Sequence, residues 1–226
     1  AERFFEHPEP LKNDASGYLR SKHEIAPWSL SAAPGGKPTL DNAVLEIRQD
    51  GKVVRTITND ATNGYLHAAF SLMDKGLRLV TGGSDGTLIE YFSATAEQAG
   101  EYRDGHTGEI NAVTISERNN LMITGSADQT IRLWNLETRE LIVSMFFAGK
   151  EFVVWMPQGY YYASDDGDNL IGWHVNQGPG KEARFVRAAQ LKRYLWSPEM
   201  VRRAIVLRSA RAAVAEMRPG VDKELE

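Results

Sequence analysis

Cysteine is absent from the 226 residues. That removes disulfides, thiolate metal ligands and cysteine nucleophiles together, and it fits a cytoplasmic location. No window approaches the roughly 18–20 consecutive apolar residues of a membrane-spanning helix, and the first residues lack the charged-then-apolar order of a secretory signal. The reading is a cytoplasmic chain that does not act at a membrane. Positive charge is in slight deficit, 26 Lys and Arg against 30 Asp and Glu, which argues against strong overall attraction to nucleic acid. What is present suffices for a core: 42% of residues are hydrophobic and 25% charged, a globular composition. The length fits one domain, or one domain with an appendage, and excludes a large multidomain enzyme. The chain starts at Ala1 and not at Met, so a processed product or a piece of a longer polypeptide is expected.

Internal repetition organises the middle of the chain. LVTGGSDGTLIEYF (79–92) lies over MITGSADQTIRLWN (122–135), placing Asp85 on Asp128, Thr87 on Thr130 and Tyr91 on Trp134, 43 residues apart. A weaker copy, LDNAVLEIR (40–48), has Asp41 in the place of Asp85 and Ile47 in that of the aromatic. A fourth, ASDDGDNLIGWHVN (163–176), carries Trp173. Periods near 40–45 residues are those of four-stranded propeller blades. Short apolar runs bounded by Gly, Asp and Asn read as antiparallel strands with tight turns. In the best copy the strands are expected near 110–116, 120–125, 130–135 and 140–146.

These residues resemble the WD-repeat family. Gly105-His106 opens the best copy and Trp134-Asn135 closes it, with Asn where the family has Asp. The resemblance implies a hydrogen-bond network of His106, Thr124 or Ser126, Asp128 and Trp134 across one blade, because a buried carboxylate and a buried indole N–H both need partners. In the preceding copy His67 substitutes for the missing Gly-His. The implied fold class is all-β: a WD40-type β-propeller segment of about four blades, an incomplete ring, with a C-terminal α-helical extension. The division reads as 1–40, an irregular Pro/Gly-rich lead-in or partial blade; 41–187, the blades; and 188–226, a basic helical extension. WD-type rings generally have six to eight blades, so the segment is expected to close a larger ring whose earlier blades lie upstream or on another chain.

The tail differs in charge, with nine Lys or Arg against five Asp or Glu over 187–226, whereas 61–186 has nine against sixteen. Docking of its solvated basic face on the acidic blades is the preferred reading, over contact with nucleic acid or an acidic partner. Ser197-Pro198-Glu199 starts a helix, and Met200, Leu207 and Val214 recur at seven, predicting one amphipathic helix to Pro219-Gly220. A shorter helix is predicted over 188–195. Residues 152–201 also resemble the junction of bacterial proteins in which a WD-repeat propeller is fused to a caspase-like cysteine peptidase. Trp155, Pro157, Gly159, Tyr160, Ala163, Ser164, Gly172, Trp173, His174 and Pro198 carry that likeness. The peptidase itself is not in this chain, which has no cysteine.

Catalysis finds little support. His106 or His174 with a Ser and an Asp supplies the residue types of a hydrolase triad, but no Gly-x-Ser-x-Gly elbow occurs. TGGSDG (81–86) lacks the lysine of a phosphate loop. Asp165, Asp166, Asp168 and Asn169 lack the glycine and distal glutamate of a calcium loop, so they read as a solvated turn. Of Tyr160, Tyr161 and Tyr162, alternate members should face the core. No catalytic residue, metal or cofactor is expected. The resulting expectation is a non-catalytic, regulatory protein-interaction module, partnered by remaining propeller blades and a caspase-like peptidase. Its contacts are sought at Asp85, Arg103, Asp104, Asp165, Asp166, Arg202 and Arg203. The competing readings are a hydrolase-type propeller and a cleavage product of a self-processing caspase-like protease.

Overall fold

The computed structural model describes residues 19–32, 44–58, 67, 69–178 and 180–219. Asp41 lies outside them. The chain forms two compact units, Leu19–Leu141 and the part from Ile142 onward.

The first unit is a series of antiparallel sheets. β1 (Glu24–Ile25), β2 (Trp28–Ala32), β3 (Val44–Gln49) and β4 (Lys52–Thr58) form the first, in sequence order. Two of its strands therefore come from the stretch read as an irregular lead-in or partial blade. β5 (Ala69–Met73), β6 (Arg78–Gly82), β7 (Leu88–Phe92) and β8 (Gln98–Glu101) form the second. β9 (Ile110–Ser116), β10 (Leu121–Ser126) and β11 (Ile131–Asn135) follow as a third meander, leading into β12 (Leu141–Ala148). These last four agree with the strands expected of the best repeat to within two residues at each end. β7 and β11 start 43 residues apart, so the sequence period is the spacing of equivalent strands.

Burial on both faces identifies the second sheet as a middle blade. Leu72 and Leu79 join Trp28, Leu30, Leu45, Ile47 and Ile57 in one cluster. Their immediate neighbours Met73 and Val80 join Ile110, Val113, Ile115, Met122 and Trp134 in another. Successive strand residues point to opposite faces, so consecutive fully buried residues require a neighbour on each side. Ile47, which replaces the aromatic, is wholly buried and keeps the packing role without the indole N–H.

In the second unit β12, β13 (Glu151–Trp155) and β14 (Tyr161–Ala163) form a meander, and among the described residues β15 (Gly172–Val175) pairs only with β16 (Arg184–Arg187). Tyr161 is fully buried with its hydroxyl donating to Ala188 O at 3.1 Å, while Tyr162 is 39% exposed, the alternation a strand imposes. Among the described residues three α-helices follow: α1 (Ala188–Leu195), α2 (Pro198–Leu207) and α3 (Ala210–Met217). The single long helix expected over 197–218 is thus two. Arg208 turns left-handed at φ 56°, and Ser209 caps α3 by accepting from Ala212 N–H at 3.0 Å. The break lets Met200, Val201 and Ala204 of α2 bury with Ala210, Ala213 and Val214 of α3. Alanines at the contact allow two short helices to approach closely.

Candidate interaction site at the blade turns

The turn end of the third meander is organised by a chain of buried hydrogen bonds. Trp134 Nε1–H donates to Thr124 Oγ1 at 2.9 Å, and that hydroxyl donates to His106 Nε2 at 2.7 Å. Nδ1 then carries the ring proton and donates to Asp128 Oδ2 at 3.0 Å. Thr130 Oγ1 donates to Asp128 Oδ1 at 2.7 Å, and the backbone N–H groups of Thr107 and Thr130 add bonds of 3.0 and 2.9 Å. Burial opposes the Asp128 charge, yet these donors outweigh it and hold the carboxyl at about pKa 2. Burial keeps the His106 imidazole below its usual pKa despite the pull of Asp128. The ring is neutral and structural.

Ser126, also placed in this network from sequence, stands beside it. The β9–β10 register slips between Gly125 and Ser126, so Ser126, the last residue of β10, pairs with Ile110 one residue out of step with Thr124. Its hydroxyl donates to Gly108 O at 2.9 Å and accepts from Asp128 N–H at 3.1 Å, which fixes the turn that carries the carboxylate. Thr124→Val keeps the shape but strands the indole N–H and the imidazole nitrogen. It is expected to cost about 3 kcal/mol, measured by urea unfolding.

Two glycines set the loop that leads into His106. Gly86 has φ +86°, and a Cβ there would lie 1.9 Å from His106 O; one on Gly105 would lie 2.7 Å from Gly86 O. This contact is the physical need for glycine before the histidine. Arg132 clamps the same loop, donating through Nη1 to Gly105 O at 2.7 Å and to Asp104 O. Gly86→Ala is expected to destabilise by at least about 2 kcal/mol and to displace the 103–106 loop, seen as chemical-shift changes confined to both turns.

The second blade has the same parts in a divided arrangement. His67 lies 2.8 Å from Thr81 Oγ1 through its Nδ1, where His106 reaches Thr124 Oγ1 at 2.7 Å through its Nε2. Asp85 accepts from Thr87 N–H and Oγ1 at 3.0 and 2.6 Å, repeating Asp128 with Thr130. Asp85 is exposed at the surface, and Tyr91 stands where Trp134 supplies the indole.

Above this framework Asp85, Gly86, Thr87, Glu101, Tyr102, Arg103, Asp104, Gly105 and His106 line an open cleft of about 300 Å3. Asp85, Arg103 and Asp104, singled out from sequence, therefore meet in one place. Glu101 was not singled out; it ends β8 and makes the cleft three carboxylates to one guanidinium. Asp165, Asp166, Arg202 and Arg203 belong to the second unit. Asp165 and Asp166 are exposed, whereas Asp168 is buried and paired with Lys192 at 2.9 Å, so the acidic run is not uniformly a solvated turn. Arg202 pairs with Glu199 at 2.9 Å and Arg203 with Glu216 at 2.7 Å. Among the described residues no group of three or more His, Asp or Glu is placed to hold a metal ion.

The repeat model described as "WD domain, G-beta repeat" matches residues 99–135. That stretch is a WD40 repeat, and the fold is of the WD40 β-propeller type. The guanine nucleotide-binding protein subunit beta of Zea mays is 27% identical over 156 residues, covering 63% of this chain and 41% of the relative. Eukaryotic translation initiation factor 3 subunit I of Aspergillus niger is 43% identical over 58 residues, covering 26% of this chain and 17% of the relative. Among solved structures, the WD40 β-propeller domain of Doa1 gives a TM-score of 0.45 at 15% identity, covering 59% of this chain and 45% of that chain. The chain spans less than half the length of these relatives.

Proposed function

We propose that this chain is a non-catalytic protein-interaction module whose cleft at the blade turns receives a basic segment of a partner protein. The observation that carries this reading is the convergence of Asp85, Glu101 and Asp104 on one open cleft over a buried, fully bonded floor. A floor held by His106, Thr124 and Trp134 keeps the loops in place, so little ordering cost falls on binding. Acidic side chains around it favour Lys- and Arg-containing partners and raise the rate of encounter. Likeness to a guanine nucleotide-binding protein subunit and an initiation factor subunit, both named as parts of larger assemblies, supports a binding role.

A library of random twelve-residue peptides displayed on phage tests it. Peptides selected on the purified chain are expected to be rich in Lys and Arg. They should bind Asp85→Lys/Asp104→Lys at least tenfold more weakly, with an unchanged melting midpoint. Selected peptides that ignore both substitutions would refute the cleft as the site.

The likeness of residues 152–201 to a propeller–peptidase junction extends the proposal to a cytoplasmic regulator working with a caspase-like peptidase, other blades completing the ring. A paired His and Cys in the downstream reading frame is the expected finding; a downstream frame coding for neither would remove the extension.

A further inference from the structure

We propose that the outer edge of β16 takes an extended, acidic segment of a second partner as an added strand. The site lies wholly in the second unit and does not depend on the cleft. β15 and β16 make a sheet of two strands, with no third strand on β16 among the described residues. Such a ribbon is marginal by itself, and an unpaired edge is a template for strand addition.

Backbone register shows what the edge offers. Ala188 N–H donates to Ile171 O at 3.0 Å, and Trp173 pairs with Val186. In an antiparallel ladder, alternate residues turn both backbone groups inward, so Val186 faces β15 while Phe185 and Arg187 face away. Arg187 N–H is bonded to Gln190 Oε1 at 3.0 Å, which closes the edge at its helical end. The Phe185 N–H and C=O are left as the pair a new strand would take.

Side chains specify the occupant. Phe185 is 51% exposed, with its ring centroid 5.2 Å from that of His174. A Cβ on Gly172 would come within 2.5 Å of the Phe185 ring, so the glycine lets that ring lie against the ribbon as a fixed apolar contact. Positive charge surrounds it. Arg184 and Arg187 end the strand, Lys181 is exposed ahead of it, and none of the three has an ion-pair partner among the described residues. Lys192, Arg202 and Arg203 of the same unit are already paired with carboxylates. Three unpaired cations beside one open strand edge suit an acidic peptide, whereas a nucleic acid groove tracks a longer phosphate path and gains nothing from backbone pairing.

Fluorescence anisotropy on the full chain tests this, using a labelled nine-residue peptide of alternating Val and Glu. Saturable binding is expected, weakened at least tenfold in Arg184→Glu/Arg187→Glu and at least threefold in Phe185→Ala. N-methylating every second amide of the peptide removes the donors on one edge. One of the two peptides so made should lose binding at least tenfold, a result that requires no protein variant to fold. Asp85→Lys/Asp104→Lys should leave this binding unchanged, which separates failure here from failure of the cleft. Absence of saturable binding, equal binding of a Val–Lys peptide, indifference to both N-methylations, or tighter binding of a twelve-residue oligothymidylate would overturn the proposal.

Discussion

Glu90→Ala is expected to lower the unfolding free energy by about 3–5 kcal/mol, the cost of leaving partly buried charges without their partner. Glu90 lies on β7 with no exposure, and it binds Arg78 Nη1 at 2.6 Å through one oxygen and Arg139 Nε at 2.9 Å through the other. Arg78 belongs to the second blade and Arg139 to the turn after β11, so one carboxylate ties consecutive repeats together. Gly100 makes the approach possible, since a Cβ there would lie 2.3 Å from Arg139 Nε. The two guanidinium groups keep about a third of their surface exposed and can turn toward water, which places the cost near the lower end of the range. Urea unfolding followed by tryptophan fluorescence reads the loss. A double-mutant cycle with Arg139→Ala should give a coupling of at least about 1 kcal/mol. A loss below about 1 kcal/mol for Glu90→Ala would show that the clasp does not join the blades.

Stability is also expected to fall steeply in acid. His67 is 3% exposed, and burial lowers its pKa from 6.5 to about 4 against a weaker opposing bond to the Ile57 backbone. The unfolded chain then binds more protons than the folded one between pH 6.5 and 4, so stability declines as the pH falls through that window and levels off below it. A shift of this size corresponds to about 3 kcal/mol. His106 acts in the same direction for the same reason. Asp128 adds a second window: its carboxyl, 3.8 in the unfolded chain and about 2 when folded, contributes stability that is lost between those values. Urea midpoints measured from pH 7.5 to 3 should drop first below 6.5. His67→Gln should flatten that first drop, and an unaltered profile in His67→Gln would contradict the assignment.

Much of the framework was legible because local chemistry and long-range packing agree. Period, turn residues and the Gly105-His106 to Trp134 spacing locate β9 to β12, and Ser-Pro-Glu locates the start of α2. The rest depended on geometry that no spacing encodes. Thr124 and Ser126 share a strand face by count, and only the register slip at Gly125 decides between them. Arg208 carries no sign that it will adopt the left-handed conformation usual for glycine, so one regular apolar period hid two helices. Trp28-Ser-Leu-Ser-Ala alternates as a strand should, yet the prolines around it concealed β2. Glu90 had a signal that went unread: a carboxylate in the apolar run LIEYF, at the place of Leu133 in the next repeat. Its partners lie 12 and 49 residues away, and only the fold brings them together.

Hydrogen exchange of two side-chain protons, the Trp134 indole N–H and the His106 Nδ1–H, tests most directly whether a buried bonded chain supports a rigid recognition face. Both should appear in the proton NMR spectrum at pH 7.5 and exchange with solvent only at the rate of global unfolding, slowing and quickening together as urea is varied. Exchange of either proton within seconds under native conditions would mean the chain opens locally, and the cleft above it would then have no fixed floor.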